Sequence, residues 1–245
     1  MLKKVVITEK QLNEISKLKY LNHGAYANVY EYGDLIVKMF YSVIESKYFK
    51  DGETFVEFES NLIHTPAILL LSEEGDVIGY VRKKIKGLTL QEIVETAVIN
   101  KDFDISLDEI LRLVEDFKIE IEKVSEKGIL MYDVNYGNIV LGKKMHVIDT
   151  DSFYYCDLES KELYSTNCET VEESVIDFFC ELNKELTKQI LEDIAEEYND
   201  GDQLYKFVDA AKKYKTKTGT YIKSLKDFVR GCNYDNSYSR TYWSG

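Results

Sequence analysis

Apolar positions in the first part of the chain recur every second place. Leu18 to Tyr32 alternates loosely, with Val29 and Tyr30 as strand formers, and Leu35-Ile36-Val37-Lys38-Met39-Phe40 follows the turn Tyr32-Gly33-Asp34. Two such runs around a glycine turn predict a β-hairpin. Two more strands are predicted at 67–71 and 77–83, joined by Glu73-Glu74-Gly75-Asp76. Between these pairs the spacing changes. Phe55, Val56, Phe58, Leu62 and Ile63 recur at helical intervals and Pro66 follows, which predicts a helix over 51–64.

After Gly87 the period lengthens for good. Ser106 and Glu109 form a capping box ahead of Leu107, Ile110, Leu111, Val114, Phe117, Ile121 and Val124, and Gly128 stops the predicted helix. A second hairpin is predicted from Asn138-Ile139-Val140-Leu141 through Gly142-Lys143-Lys144 to Met145–Ile148. Beyond Asp177, apolar residues at 190–194, 204–211 and 222–229 predict helices. The order is strand-rich with one helix, then mainly helical, so the fold class is α+β with a boundary near 83–87.

Composition narrows the partners. With 245 residues, 44% of them apolar, the chain can bury a sizeable core. Its 31 Lys and Arg against 44 Asp and Glu give a net charge of −13. That lacks the basic footprint of a general nucleic-acid binder and opposes docking on an anionic membrane by charge. The longest apolar run, Ala67 to Leu71, is too short to span a bilayer, and Met1 to Ile7 is too brief for a secretory signal. Cys156, Cys168, Cys180 and Cys232 show no C-x-x-C spacing, and His23, His64 and His146 show no ligand spacing. A cytoplasmic chain with reduced thiols is expected, with neither nucleic acid nor membrane as partner.

One region carries chemistry. If Lys143-Lys144 is a two-residue turn, Asn138 faces Asp149 across the second hairpin. An amide oxygen beside a carboxylate, with Asp133 five residues upstream of Asn138, suits Mg²⁺. Asp133-x-x-x-x-Asn138 followed by Val147-Ile148-Asp149 resembles the catalytic loop and metal-binding segment of the protein-kinase-like superfamily. Asn22 to Tyr30 lies where that family has its glycine-rich loop, and Ile36-Val37-Lys38 resembles its strand lysine. Gly79 to Gly87 resembles the last small-lobe strand entering the hinge, and Val175 to Leu186 resembles a large-lobe helix that begins with a structural aspartate, here Asp177.

The resemblance implies a bilobal fold. Residues 1–82 would form an N-lobe with a small antiparallel sheet and one main helix, 83–87 the hinge, and 88–245 a helical C-lobe. It implies ATP and Mg²⁺ as cofactors and transfer of the γ-phosphoryl group to a hydroxyl of a protein or a small molecule. An atypical Ser/Thr protein kinase is expected, with a pseudokinase scaffold and a small-molecule kinase as alternatives. Asp133 would orient the acceptor hydroxyl and receive its proton, and Asn138 and Asp149 would hold Mg²⁺. Asp151 either shares the metal or caps the turn. Lys38 would contact the phosphates and a helical glutamate. At 100° per residue, Glu59 falls within the apolar face of 51–64 and Glu57 opposite it, so Glu59 is expected to be that partner. Gly24 and Ala27 would serve the phosphate loop, Val29 would cover the adenine, and the backbone from Lys83 to Ile85 would bond its edge.

The chain also departs from the family. Asn22 and Ala27 stand in place of two glycines, and Met131-Tyr132-Asp133 lacks the arginine that would pair with a phosphorylated loop. Asp149-Thr150-Asp151 replaces Asp-Phe-Gly. The segment from Asp151 to Asp177, which includes Tyr154, Tyr155, Tyr164, Ser165 and Thr166, is short for a peptide-docking platform.

Overall fold

The computed structural model describes residues 2–24, 26–44, 56–97, 104–195 and 202–230. Its first sheet has six strands, of which all but the first lie where the sequence pattern places strands. They are β1 (Lys3–Val6), β2 (Lys19–His23), β3 (Ala27–Tyr32), β4 (Leu35–Ile44), β5 (Ile68–Leu71) and β6 (Val77–Lys83), in the sheet order β1-β5-β6-β4-β3-β2. The β3–β4 hairpin turns at Gly33, whose φ of 58° suits glycine. Helix α1 (Glu9–Ile15) starts at a capping box: Thr8 accepts the Gln11 amide while the Gln11 side chain accepts the Thr8 amide.

The sheet is mixed rather than antiparallel, because β1 adds to β5 in parallel. Lys3-Lys4-Val5-Val6 is too short and too polar to announce itself as a strand. Val37, Met39, Leu70 and Val81 bury one sheet face beneath Ile7, Ile15 and Leu18. Leu69, Val77 and Tyr80 bury the other, with Leu2, Phe40 and Ile44. Each such fully buried side chain contributes about 1.5–3 kcal/mol. Lys38 and Tyr80 are cross-strand partners and share this second face. The close approach of β6 depends on Gly79, where a Cβ would stand 2.2 Å from the Lys38 carbonyl oxygen.

The expected helix over 51–64 is absent from 56–64, and 51–55 lie outside the described residues. The backbone groups of Leu62 and His64 pair with a strand instead. That strand is β10 (Met145–Val147), which forms a hairpin with β9 (Ile139–Leu141), itself paired with β7 (Leu88–Thr89). Ile63 bridges Val147, the Leu62 carbonyl accepts the Val147 amide at 2.8 Å, and the His64 amide donates to the Val147 carbonyl at 2.9 Å. A helix would have to give up these bonds.

Helix α3 (Leu107–Glu126) begins and ends as its sequence signals require, with the Ser106 hydroxyl accepting the Glu109 amide at 3.1 Å. The short strand β8 (Ile129–Leu130) follows and pairs with β11 (Tyr154–Tyr155). The remaining helices are α2 (Leu90–Ala97), α4 (Ser160–Leu182), α5 (Lys184–Asp193), α6 (Gln203–Ala211) and α7 (Leu225–Val229). Helix α4 starts well before Asp177, which lies within it and is exposed. Leu163, Asn167, Val171 and Val175 recur at helical spacing and are all buried, which carries the helix back to Ser160.

The chain forms two compact units, Met1–Thr89 with Phe117–Thr170, and Leu90–Asp116 with Val171–Gly245. The sequence places a boundary at 83–87. The first unit ends its opening segment close by, at Thr89, but also takes in 117–170, because β7, β9 and β10 form one sheet. The second unit has its own aromatic core. Phe179 stacks against Phe207 and Phe228 with ring centroids 5.1 and 4.9 Å apart. Among the described residues no helix is long and apolar enough to cross a membrane, and Cys156, Cys168 and Cys180 form no disulfide.

Candidate functional site

Every residue of the candidate site lies in the first unit. Strand β4 carries Lys38 inward on the second sheet face, where its side chain is only 12% exposed. Its ammonium pairs with the Asp149 carboxylate and lies 3.0 Å from Asp151 Oδ2. Lys38 thus meets residues more than 100 positions away, and this is an enclosed charge cluster rather than a surface ion pair. The Tyr80 hydroxyl donates to Asp149 Oδ1 at 2.8 Å. The Lys38 ammonium also stands over the Phe40 and Tyr80 rings, 5.8 and 5.6 Å from their centroids.

Asp149 reaches this cluster by a backbone turn. The second hairpin closes with three residues, 142–144, in which the Gly142 amide donates to the Lys144 carbonyl at 3.1 Å. Leu141 therefore faces Met145, and the register differs by one from that of a two-residue turn. Asn138 faces Ile148, whose amide donates to the Asn138 carbonyl at 2.9 Å, instead of facing Asp149. Asp149 sits just past the ladder with φ 65°, and Asp133 has φ 58°. Left-handed backbone at two non-glycine residues costs roughly 1–3 kcal/mol each and gathers at functional sites.

The catalytic-loop candidates form a second knot. Asn138 Nδ2 donates to the Asp133 carbonyl at 3.3 Å, and Asn135 Oδ1 accepts the Gly137 amide at 3.0 Å. The Asp133 carboxylate is exposed. Upstream the loop hangs on a buried amide. Asn167, 0% exposed, accepts the Met131 amide at 2.8 Å and donates to the Ile129 carbonyl and the Ser125 hydroxyl, each at 3.0 Å. Downstream, the Ser152 hydroxyl donates to the Tyr132 carbonyl at 2.8 Å.

Crowding two carboxylates around one lysine splits their acidities. Burial and the neighbouring Asp149 push the Asp151 carboxyl up to about 6. Burial also acts on Asp149, but its hydrogen bond with Asp151 and the Lys38 charge outweigh it and hold Asp149 below the usual range. Burial drives the Tyr80 phenol well above its ordinary value, so it stays a donor. Arg82, buried beside them, is lowered by burial and donates to the Lys83 carbonyl at 3.1 Å.

The structure brings Lys38, Asp149 and Asp151 into contact, and separately joins Asn138 to Asp133. It does not bring Glu59 to Lys38. Glu59 is exposed and outside any helix, and among the described residues Lys38 pairs with Asp149 and Asp151. Glu57 instead accepts the Leu2 amide at 2.9 Å. In the expected phosphate loop the Gly24 amide donates to the Ala27 carbonyl at 2.8 Å, Ala27 is fully buried, and Val29 lies opposite Lys38. Lys83 ends β6 opposite Leu35, and Ile85 follows the Lys84 amide, which donates to the Asp34 carbonyl at 2.8 Å.

Sequence reasoning missed Tyr80, Arg82 and Asn167. Tyr80 becomes visible only once β4 and β6 are paired. It also missed that two of the scattered histidines meet, with His64 Nε2 and His146 Nδ1 3.0 Å apart. Burial, then His146, lowers His64 to about 4, and burial lowers His146 as well.

The donor set suits a hard cation. Asp149 and Asp151 offer carboxylate oxygens, and the Lys38 ammonium already occupies the place of positive charge between them. In the second unit Glu115, Glu172 and Asp202 also cluster, with Glu172 accepting the Leu204 amide at the start of α6. That contact is a helix cap. No protein-family model matches the chain, and no curated protein matches it.

Proposed function

We propose that this chain is an ATP- and Mg²⁺-dependent phosphotransferase of the protein-kinase-like type, moving the γ-phosphoryl group to a hydroxyl acceptor. The observation that carries the reading is the meeting of Lys38 with Asp149 and Asp151 on one sheet face, beside a loop that presents Asp133 in a left-handed turn. In this reading Asp149, Asp151 and Asn138 hold Mg²⁺, which neutralises charge on the transferring phosphoryl group. Lys38 leaves its carboxylate partners and contacts the phosphates. Asp133 accepts the proton of the attacking hydroxyl and orients its oxygen. Buried Asn167 fixes the height of the loop that carries Asp133.

One feature favours a small-molecule acceptor over a peptide. The residues after Asp151 pair back as β11 on β8 and run directly into α4, and Tyr164, Ser165 and Thr166 are already helical. This leaves little extended chain on which a peptide can dock. The test is phosphate release from ATP, with and without Mg²⁺, by the wild type and Asp149→Asn. Turnover that needs Mg²⁺ and disappears in the variant supports the assignment. Turnover unchanged in Asp149→Asn refutes it.

A further inference from the structure

Tyr80 is 1% exposed, yet it carries a hydroxyl into the charged centre of the second sheet face. A buried hydroxyl requires a partner. Here the partner is Asp149 Oδ1 at 2.8 Å, the same oxygen that receives the Lys38 ammonium. Two donors converging on one oxygen fix the plane of a carboxylate and leave its second oxygen with the greater capacity for a cation.

Asp149 has need of such a hold. It lies one residue beyond the β9–β10 ladder, in a left-handed backbone conformation, so no strand pairing sets its side chain. Tyr80 is the opposite kind of residue. It sits inside β6, opposite Lys38 in register, with its ring edge-on to Phe40 at 6.0 Å between centroids. The 2.8 Å distance to Asp149 Oδ1 fixes the donation of the phenol proton there, and Arg82, two residues along the same strand, is buried and donates to the Lys83 carbonyl. A rigid strand therefore adds a second fixed donor, beside Lys38, to a carboxylate that its own backbone turn does not fix.

We infer that Tyr80 is the positioning residue of the metal-binding carboxylate: its hydroxyl anchors Asp149 Oδ1 so that Oδ2 is presented to the divalent cation. The inference rests on the phosphotransferase reading, in which Asp149 is a metal ligand. It assigns Tyr80 a task that neither its sequence context nor the family resemblance supplies. Tyr80 does not touch the metal or the phosphates. It acts by removing the freedom of Asp149 to turn wholly toward Lys38 and Asp151.

The experiment titrates Mn²⁺ alone into the full-length chain and follows free Mn²⁺ by electron paramagnetic resonance, for the wild type, Tyr80→Phe and Asp149→Asn. Thermal unfolding is measured on the same samples. Loss of one charge-assisted hydrogen bond to a ligand is expected to weaken Mn²⁺ binding about tenfold in Tyr80→Phe, and Asp149→Asn is expected to abolish it. In turnover, Tyr80→Phe raises the Mg²⁺ concentration needed for half-maximal rate by a similar factor and changes kcat at saturating Mg²⁺ much less. If Tyr80→Phe binds Mn²⁺ as the wild type does while Asp149→Asn does not, the role of Tyr80 is overturned and the metal site stands. A lower melting temperature with unchanged Mn²⁺ affinity makes the hydroxyl structural only, which also overturns it. If the wild type binds no Mn²⁺, or Asp149→Asn binds it normally, the metal site fails and this inference fails with it.

Discussion

Replacing Asn167 with leucine tests how the candidate catalytic loop is held. The side chains are similar in size, so packing changes little and the loss is polar. In the wild type the Asn167 amide serves three partners at 2.8–3.0 Å, the Met131 amide, the Ile129 carbonyl and the Ser125 hydroxyl. The Ser125 hydroxyl still donates to the Ile121 carbonyl at 2.8 Å, so its loss is slight. The Met131 amide is left buried with no acceptor, and the Ile129 carbonyl loses a donor. An orphaned buried group costs about 1–3 kcal/mol, which puts Asn167→Leu at about 2–4 kcal/mol. Urea unfolding should show a lower midpoint at unchanged slope. Hydrogen exchange should show faster exchange at the Met131 amide, and turnover should fall, because Met131 stands two residues before Asp133. An unfolding free energy within about 0.5 kcal/mol of wild type, with Met131 exchange unchanged, would show that Asn167 does not anchor the loop.

Three further substitutions probe the charge cluster. Lys38→Met should abolish both turnover and the thermal stabilisation given by Mg-ATP, and retention of either would remove Lys38 from the site. Glu59→Gln, at an exposed position outside any helix, should leave turnover within about twofold, and a loss as deep as that of Lys38→Met would show that Glu59 engages Lys38 during the reaction. Asp151→Asn should act through pH. The folded protein holds a proton on Asp151 up to about pH 6, above the usual carboxylate range, so the stability this group contributes is present in acid and fades as pH rises through that interval. The melting temperature of Asp151→Asn minus that of wild type should therefore become more positive from about pH 4 to about pH 6 and level off above it, and a constant difference would contradict the buried-pair electrostatics.

Much of the fold could be read from local pattern. The β3–β4 hairpin, β5, β6 and α3 follow alternation, turn glycines and a serine cap, which are short-range signals. What could not be read depended on partners distant in sequence. β1 is a strand because β5 is there to pair with it, and 56–64 is not a helix because β10 takes the backbone bonds of Leu62 and His64. The hairpin register slipped by one because Gly142 joins the turn, which moved Asn138 opposite Ile148. The site divides along the same line. Spacing marks Asp133, Asn138 and Asp149 and the family resemblance marks Lys38 and Asp151, whereas Tyr80 and Asn167 are an ordinary strand tyrosine and helix asparagine until the tertiary structure sets them against Asp149 and Met131. The choice of Glu59 required a helical face that 56–64 does not form.

The central claim is that Lys38, Asp149 and Asp133 support transfer of a phosphoryl group. It is tested most directly by incubating the chain with γ-labelled ATP and Mg²⁺, alone and with a cell extract separated into protein and small-molecule fractions, beside Asp133→Asn and Asp149→Asn. The account predicts Mg²⁺-dependent label on an acceptor, in the small-molecule fraction if the short segment before α4 excludes peptides, and no label with either variant. Label transfer undiminished in both variants, or none from a wild type that is folded and supplied with Mg²⁺ and both fractions, would contradict it.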